Sequence, residues 1–188
     1  MSRLQIHPVN PPTPGQSSPA EAPFSSDDGA VIAAELAARG LRFERWPTRA
    51  ELAEGADQEA ILSAYASEVA RIQSQGPYPS VDAIRLGPDH PERQALRQKF
   101  LAEHTHAEDE VRFFVEGQGL FCLHIGEEVL QVLCTRGDLI GVPAGTRHWF
   151  DMGAAPHFTA LRFFNNPDGW VARFTGDDIA SRFPLLDP

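Results

Sequence analysis

The sequence predicts a mainly β chain: one barrel, with two or three helices from its N-terminal half packed on the outside. Three observations carry this. From Glu110 onward, five or six strand-like segments follow at close spacing with Gly and Pro between them, the pattern of a sandwich or barrel. Upstream, two longer stretches repeat their apolar residues at helical spacing, between capping and breaking residues. The length of 188 residues suits a single domain able to bury a substantial core.

In chain order, Arg3-Leu4-Gln5-Ile6-His7 alternates as a short strand at the head of a Pro-rich arm, residues 1–26. Pro11, Pro12, Pro14, Pro19 and Pro23 stand there among small polar residues, which predicts an extended segment rather than a second domain; residues 27–188 then form the one folded domain. Such an arm should bury little, and its removal is expected to leave activity intact unless Leu4 and Ile6 add a strand to the barrel. Asp27 or Asp28 is placed to cap a helix through Val31 to Arg39, and Gly40 to end it. Leu41 to Trp46 alternates until Pro47. Ile61, Leu62, Tyr65, Val69 and Ile72 recur at helical spacing, predicting one helix from Asp57 to Gln75 that Gly76-Pro77 stops. Val81 to Leu86 alternates again, and a short helix over Pro91 to Lys99 delivers Phe100 beside the next segment. The tail from Trp170 reads as irregular or briefly helical.

The chemistry concentrates between His104 and His148. Two histidines at i and i+2 of a strand share a face, and Glu110 and Arg112 share it too if the strand runs on without a bulge. Val111, Phe113, Phe114 and Val115 predict burial, where such a polar row is costly unless something pairs with it. A divalent cation compensates two imidazoles and a carboxylate, which are ordinary ligands of first-row metals. A turn at Pro143 and Gly145 then leads to His148, which supplies the missing ligand. With an octahedral ion, four protein ligands leave two adjacent positions open, which suits a bidentate substrate. A structural zinc site is the plainer alternative, but structural zinc favours thiolates and both cysteines lie outside these segments.

The spacing resembles that of the cupins, whose motifs are G-x5-H-x-H-x3,4-E-x6-G and G-x5-P-x-G-x2-H-x3-N. His104, His106, Glu110 and Gly117 fit the first, with Gln98 in place of its leading Gly; Gly137, Pro143, Gly145 and His148 fit the second, with Met152 in place of its Asn. The runs EHTHAEDEVRFFVEGQGLF, VPAGTRHWFDMG and FTGDDIA, with GLRFERW upstream, resemble acireductone dioxygenases of methionine salvage over about residues 28 to 183. The resemblance implies a cupin (jelly-roll-like) β-barrel holding one divalent metal per chain, Fe(2+) or Ni(2+), on His104, His106, Glu110 and His148. It implies O2-dependent cleavage of the acireductone 1,2-dihydroxy-3-keto-5-methylthiopentene. The iron form would yield formate and a 2-keto acid, the nickel form carbon monoxide, formate and methylthiopropionate. It also places Arg162 near the substrate, beside Arg112. The alternatives are another metal-dependent cupin enzyme or a non-enzymatic metal-binding cupin.

Phe100, Phe150 and Trp170 are core aromatics by default and candidate pocket walls by their closeness to the motifs. Asp109, of opposite parity to Glu110, is a candidate to orient a ligand histidine from behind. His7, His90, His124 and His157 read as ordinary histidines, with His124 nearest the site. Cys122 and Cys134 lie on segments that pair as a hairpin, and they read as free core thiols. A net charge of −10 disfavours nucleic acid and anionic membranes as partners. No apolar run approaches the roughly 20 residues of a membrane span. The expectation is a cytoplasmic monomer acting on a small molecule and O2.

Overall fold

The computed structural model describes residues 1–10, 24–48, 51–166 and 170–186. Pro11, Pro12, Pro14, Pro19 and Pro23 fall outside them. The strands in chain order are β1 (Arg3–Pro8), β2 (Phe24–Ser26), β3 (Arg42–Arg45), β4 (Ser80–Leu86), β5 (His104–Thr105), β6 (Glu110–Ile125), β7 (Glu128–Thr135), β8 (Asp138–Val142), β9 (Arg147–Asp151), β10 (Phe158–Phe164) and β11 (Arg173–Phe174). The helices are α1 (Gly29–Ala37), α2 (Gln58–Ala64), α3 (Ala66–Ser74) and α4 (Arg93–Leu101), and a single 3-10 turn spans Ile179–Arg182.

The long strand β6 belongs to two antiparallel sheets and makes the barrel. Its first half pairs with β8 and β10, giving the order β3-β8-β6-β10-β4. Its second half pairs with β7 and β9, giving β11-β5-β9-β6-β7-β1-β2. The register against β10 slips where Val115 becomes the extra residue of a bulge, which bends a strand and sharpens its twist. Two residues on, Gly117 has φ +62, and a Cβ there would come within 1.7 Å of the His157 carbonyl oxygen. Only glycine fits this crossing from one sheet to the other.

Strand parity sorts the core. Phe114, Ile140, Phe150, Phe158, Ile84 and Leu86 pack inside the barrel, whereas Val111, Phe113, Val115, Leu161 and Phe163 face outward under Ile61, Tyr65 and Ile72 of the helices. Burial on both faces explains why 111–115 is apolar almost without interruption.

Among the described residues there are four helices, because the segment expected as one helix over 57–75 divides at Tyr65, whose φ of −112 and ψ of 24 leave the helical region. Tyr65 is buried edge-on to Phe113, 6.2 Å between ring centres, so a tertiary contact overrides local periodicity. Helix α1 follows its sequence signals more closely. Asp28 accepts from the amides of Ala30 and Val31, and Gly40, at φ +77, lets Leu41 N–H reach back to the Leu36 carbonyl.

The expectation that the N-terminal arm buries little fails for its first residues. Strand β1 pairs with β7 from Arg3↔Leu133 to Pro8↔Glu128, and Leu4 and Ile6 lie in the main core. Burying two aliphatic side chains contributes roughly 3–6 kcal/mol.

Candidate metal centre and active site

The centre forms where β5, β6 and β9 meet. His104 stands opposite His148 in the β5–β9 register, and Glu110 opens β6. The uninterrupted strand expected from His104 to Arg112 is not there: β5 ends at Thr105 and the chain bends through Ala107 and Glu108 before β6 begins. A bend and a neighbouring strand, not shared parity, bring His106 to Glu110.

One ring nitrogen from each of His104, His106 and His148 lies within 4.8 Å of the other two, and all three rings are buried. Glu110 Oε2 lies 3.1 Å from His106 Nε2 and 3.2 Å from His148 Nε2. Behind the rings, His104 Nδ1 meets the Ala102 carbonyl at 2.7 Å, His106 Nδ1 that of Val171 at 3.1 Å, and His148 Nδ1 that of Thr146 at 2.8 Å. A carbonyl only accepts, so each Nδ1 carries a proton and each neutral ring presents the lone pair of Nε2 to the centre. Nitrogen and carboxylate lone pairs turned onto one point repel unless a proton or cation sits among them. The donor set therefore fits a divalent first-row metal.

The electrostatics agree. Burial pushes His104 down to about 4, with His148 adding to the effect, so the ring is neutral near pH 7. Burial also opposes charge on His106, but the hydrogen bond and charge of Glu110 outweigh it and raise this group. For Glu110 burial works upward, yet Arg112, then His106 and His148, hold its carboxyl well below the usual range. Arg112 lies 2.6 Å from Glu110 Oε1 as a buried ion pair, side by side rather than along an N–H···O line.

In front of the centre lies a cavity of about 330 Å³, within the range of small-molecule sites. Arg112 and Arg162 both border it, and so do Phe100, Phe150 and Trp170, with Ile84 and Leu96 extending the apolar wall. The Trp170 ring stacks on His106 at 6.0 Å, and its Nε1 donates to the Asp109 carbonyl. Asp109 does not orient a histidine as expected. Its side chain accepts from the Ala144 amide at 2.9 Å, tying β6 to the Pro143 turn, and the carbonyls already named hold the imidazoles.

Sequence reasoning missed further residues at the site, among them Lys99 and Phe174 of the cavity lining and Asp82 behind Arg162. Asp82 on β4 grips Arg162 at 2.8 and 2.6 Å, Lys99 lines the cavity, and Phe174 packs edge-on to His104 at 5.8 Å. Asp82 shares parity with Ile84 and Leu86 in an alternating strand, a signal that it faces inward. His124 points away from the centre, its Nδ1 2.6 Å from Glu103 Oε1, and Thr175 donates to the other oxygen of that carboxylate.

Residues 25–172 match the model of the ARD/ARD' family. The chain belongs to that family, the acireductone dioxygenases. It is 65% identical over 186 residues to the acireductone dioxygenase of Prochlorococcus marinus (strain MIT 9303), covering 99% of this chain and 100% of that one. It is 68% identical over 162 residues to that of Synechococcus sp. (strain ATCC 27144 / PCC 6301 / SAUG 1402/1), covering 86% and 90%. Among solved structures it resembles an acireductone dioxygenase from Bacillus anthracis with a cadmium ion in the active centre, with a TM-score of 0.76, 26% identity, and coverage of 93% and 98%. The chain is thus an enzyme of the dioxygenase class with a cupin fold, and membership accounts for the convergence of its three histidines.

Proposed function

We propose that this cavity cleaves an acireductone with O2 to formate and a 2-keto acid in methionine salvage, with Arg112 and Arg162 as the residues that bind the substrate's negative charge. One observation carries the reading: a small-molecule cavity is lined together by the donor cluster, both arginines, and aromatic and aliphatic side chains. A divalent ion, Fe(2+) or Ni(2+), held by His104, His106, Glu110 and His148, supplies Lewis acidity and a template for a chelating enediolate when bound. The guanidiniums compensate the enediolate through charge-assisted hydrogen bonds. Phe100, Phe150, Ile84 and Leu96 house the methylthio tail and exclude water, while Trp170 closes over His106. The working unit we infer is a monomer, checked by light scattering. Two buried free thiols accord with a reducing cytoplasm. None of the described helices is long and apolar enough to cross a membrane.

The test is oxygen uptake with a synthetic acireductone, using protein reconstituted separately with Fe(II) and Ni(II). Formate and a 2-keto acid are expected from the iron form, and carbon monoxide, formate and methylthiopropionate from the nickel form. No oxygen uptake by either verified form refutes the reading. Uptake with identical products from both refutes only the metal dependence.

A further inference from the structure

Asp82, Arg162 and Arg112 occupy one row across three neighbouring strands: Arg162 is the register partner of Asp82 on β4 and of Arg112 on β6. Directly opposed side chains of like charge destabilise a sheet. Here both guanidiniums border the same cavity, and each has its own carboxylate, Arg112 that of Glu110 and Arg162 that of Asp82. Asp82 takes Nε and Nη2 of Arg162 with its two oxygens, at 2.8 and 2.6 Å. This fork fixes the guanidinium plane and leaves three of its five N–H groups free of Asp82.

We propose that Asp82 is a positioning residue that aims Arg162 at the substrate and, by neutralising one of two facing arginines, limits the positive charge of the cavity that receives an anionic substrate. This rests on the reading of Arg162 as a substrate contact. The plainer account, an ion pair that stabilises the sheet, does not explain the placement. The two side chains are 31% and 28% exposed, and pairs so open to water contribute little to folding. Yet the carboxylate lies on the inward face of β4, in line with Ile84 and Leu86 of the core. Without it, Arg162 keeps its charge beside Arg112 but loses the partner that holds it, and repulsion drives it away from the reacting end. The row of Asp82, Arg162, Arg112 and Glu110 sums to zero charge, so with a divalent ion it carries two positive charges, to which Lys99 in the cavity lining adds. Uncompensated, Arg162 would leave an excess positive charge.

The experiment is a double-mutant cycle on the metal-loaded enzyme with Asp82→Asn, Arg162→Met and the pair combined, and with Asp82→Glu as the conservative variant. It reads kcat/KM and the anaerobic affinity for the acireductone, with metal content and thermal midpoint measured alongside. Asp82→Asn is expected to lower kcat/KM about tenfold, the equivalent of ~1.4 kcal/mol, with Asp82→Glu recovering most of the loss. In the Arg162→Met background the same change should alter kcat/KM by less than about twofold. An Asp82→Asn enzyme equal to wild type overturns the proposal. An equal loss in both backgrounds also overturns it, because Asp82 then acts through the fold. Wild-type kinetics for Arg162→Met remove the substrate contact itself, and the proposal falls with that reading.

Discussion

Replacing Arg112 by Met separates the two tasks proposed for this guanidinium, pairing with Glu110 and binding the substrate. Arg112 is 8% exposed and Glu110 1%, their charged atoms 2.6 Å apart. Removing one partner of a buried pair costs about 3–5 kcal/mol. At about 2–4 °C per kcal/mol for a chain of this size, the metal-free protein should melt roughly 6–20 °C lower. The lower half of that range is expected, because Glu110 keeps His106 and His148 as partners and can take up a proton. A bound divalent ion compensates Glu110 in place of Arg112, so the gap between variant and wild type should close to a few degrees in the metal-loaded proteins. Turnover should not recover. Losing a charge-assisted contact to the substrate costs about 1.5–3 kcal/mol, or about 10- to 150-fold in kcat/KM. The assay is calorimetry of both proteins with and without metal, followed by steady-state kinetics of the loaded forms. An equal loss of stability with and without metal would refute the idea that metal and guanidinium share Glu110. Unchanged kcat/KM would refute the substrate contact.

Three further outcomes are expected. His148→Ala, which removes a donor opposite His104, should lower metal affinity at least about tenfold; unchanged stoichiometry in equilibrium dialysis at limiting metal would remove His148 from the ligand set. Deleting residues 1–8 takes away β1, including Leu4 and Ile6, and the Ser2 hydroxyl that donates to the buried Asp138 carboxylate. It should lower the denaturant midpoint or abolish soluble expression, and wild-type stability after truncation would contradict the core assignment. Burial pushes the Cys122 thiol up to about 12 and that of Cys134 well above its ordinary value, so native protein should show no rapid reaction with a thiol reagent at pH 8 and two thiols after unfolding; fast native labelling would place one of them at the surface.

The clustering of His104, His106 and His148 around Glu110 was legible because these residues lie in two short segments whose spacing survives however the barrel closes around them. The reason for their convergence was not. Parity along one strand accounts for Glu110, Arg112 and Phe114 facing inward, but His106 reaches Glu110 through a bend at Ala107 and Glu108. The groups that fix the imidazoles are backbone carbonyls of Ala102, Thr146 and Val171, and a carbonyl has no sequence signature. Asp109 was a poor choice for the same reason: a carboxylate is visible in sequence, whereas the atoms doing the orienting are not. Asp82 lies 80 residues from Arg162, and only the β4–β10 register joins them. Likewise Gly117 and Gly119 read as punctuation between strands, yet β6 passes through both as one strand, since its bulge turns the chain without ending its pairing.

The net charge of −10 and the anionic substrate are reconciled by distance and burial rather than by the total. Exposed carboxylates are screened over about 8 Å at physiological ionic strength, and several already have cations, as Glu128 and Glu35 have Arg39 and Asp27 has Arg3. Inside the cavity screening is weak, so a few fixed groups decide. Arg112 is buried, which lowers its hold on its own proton without discharging it. Its charge faces Glu110, and a cation that takes over that carboxylate would make the guanidinium available to an incoming anion. With the proposed ligand set and substrate contact, metal binding and substrate binding are coupled through Glu110. On that reading a divalent ion at the site supplies the positive field that the overall composition lacks.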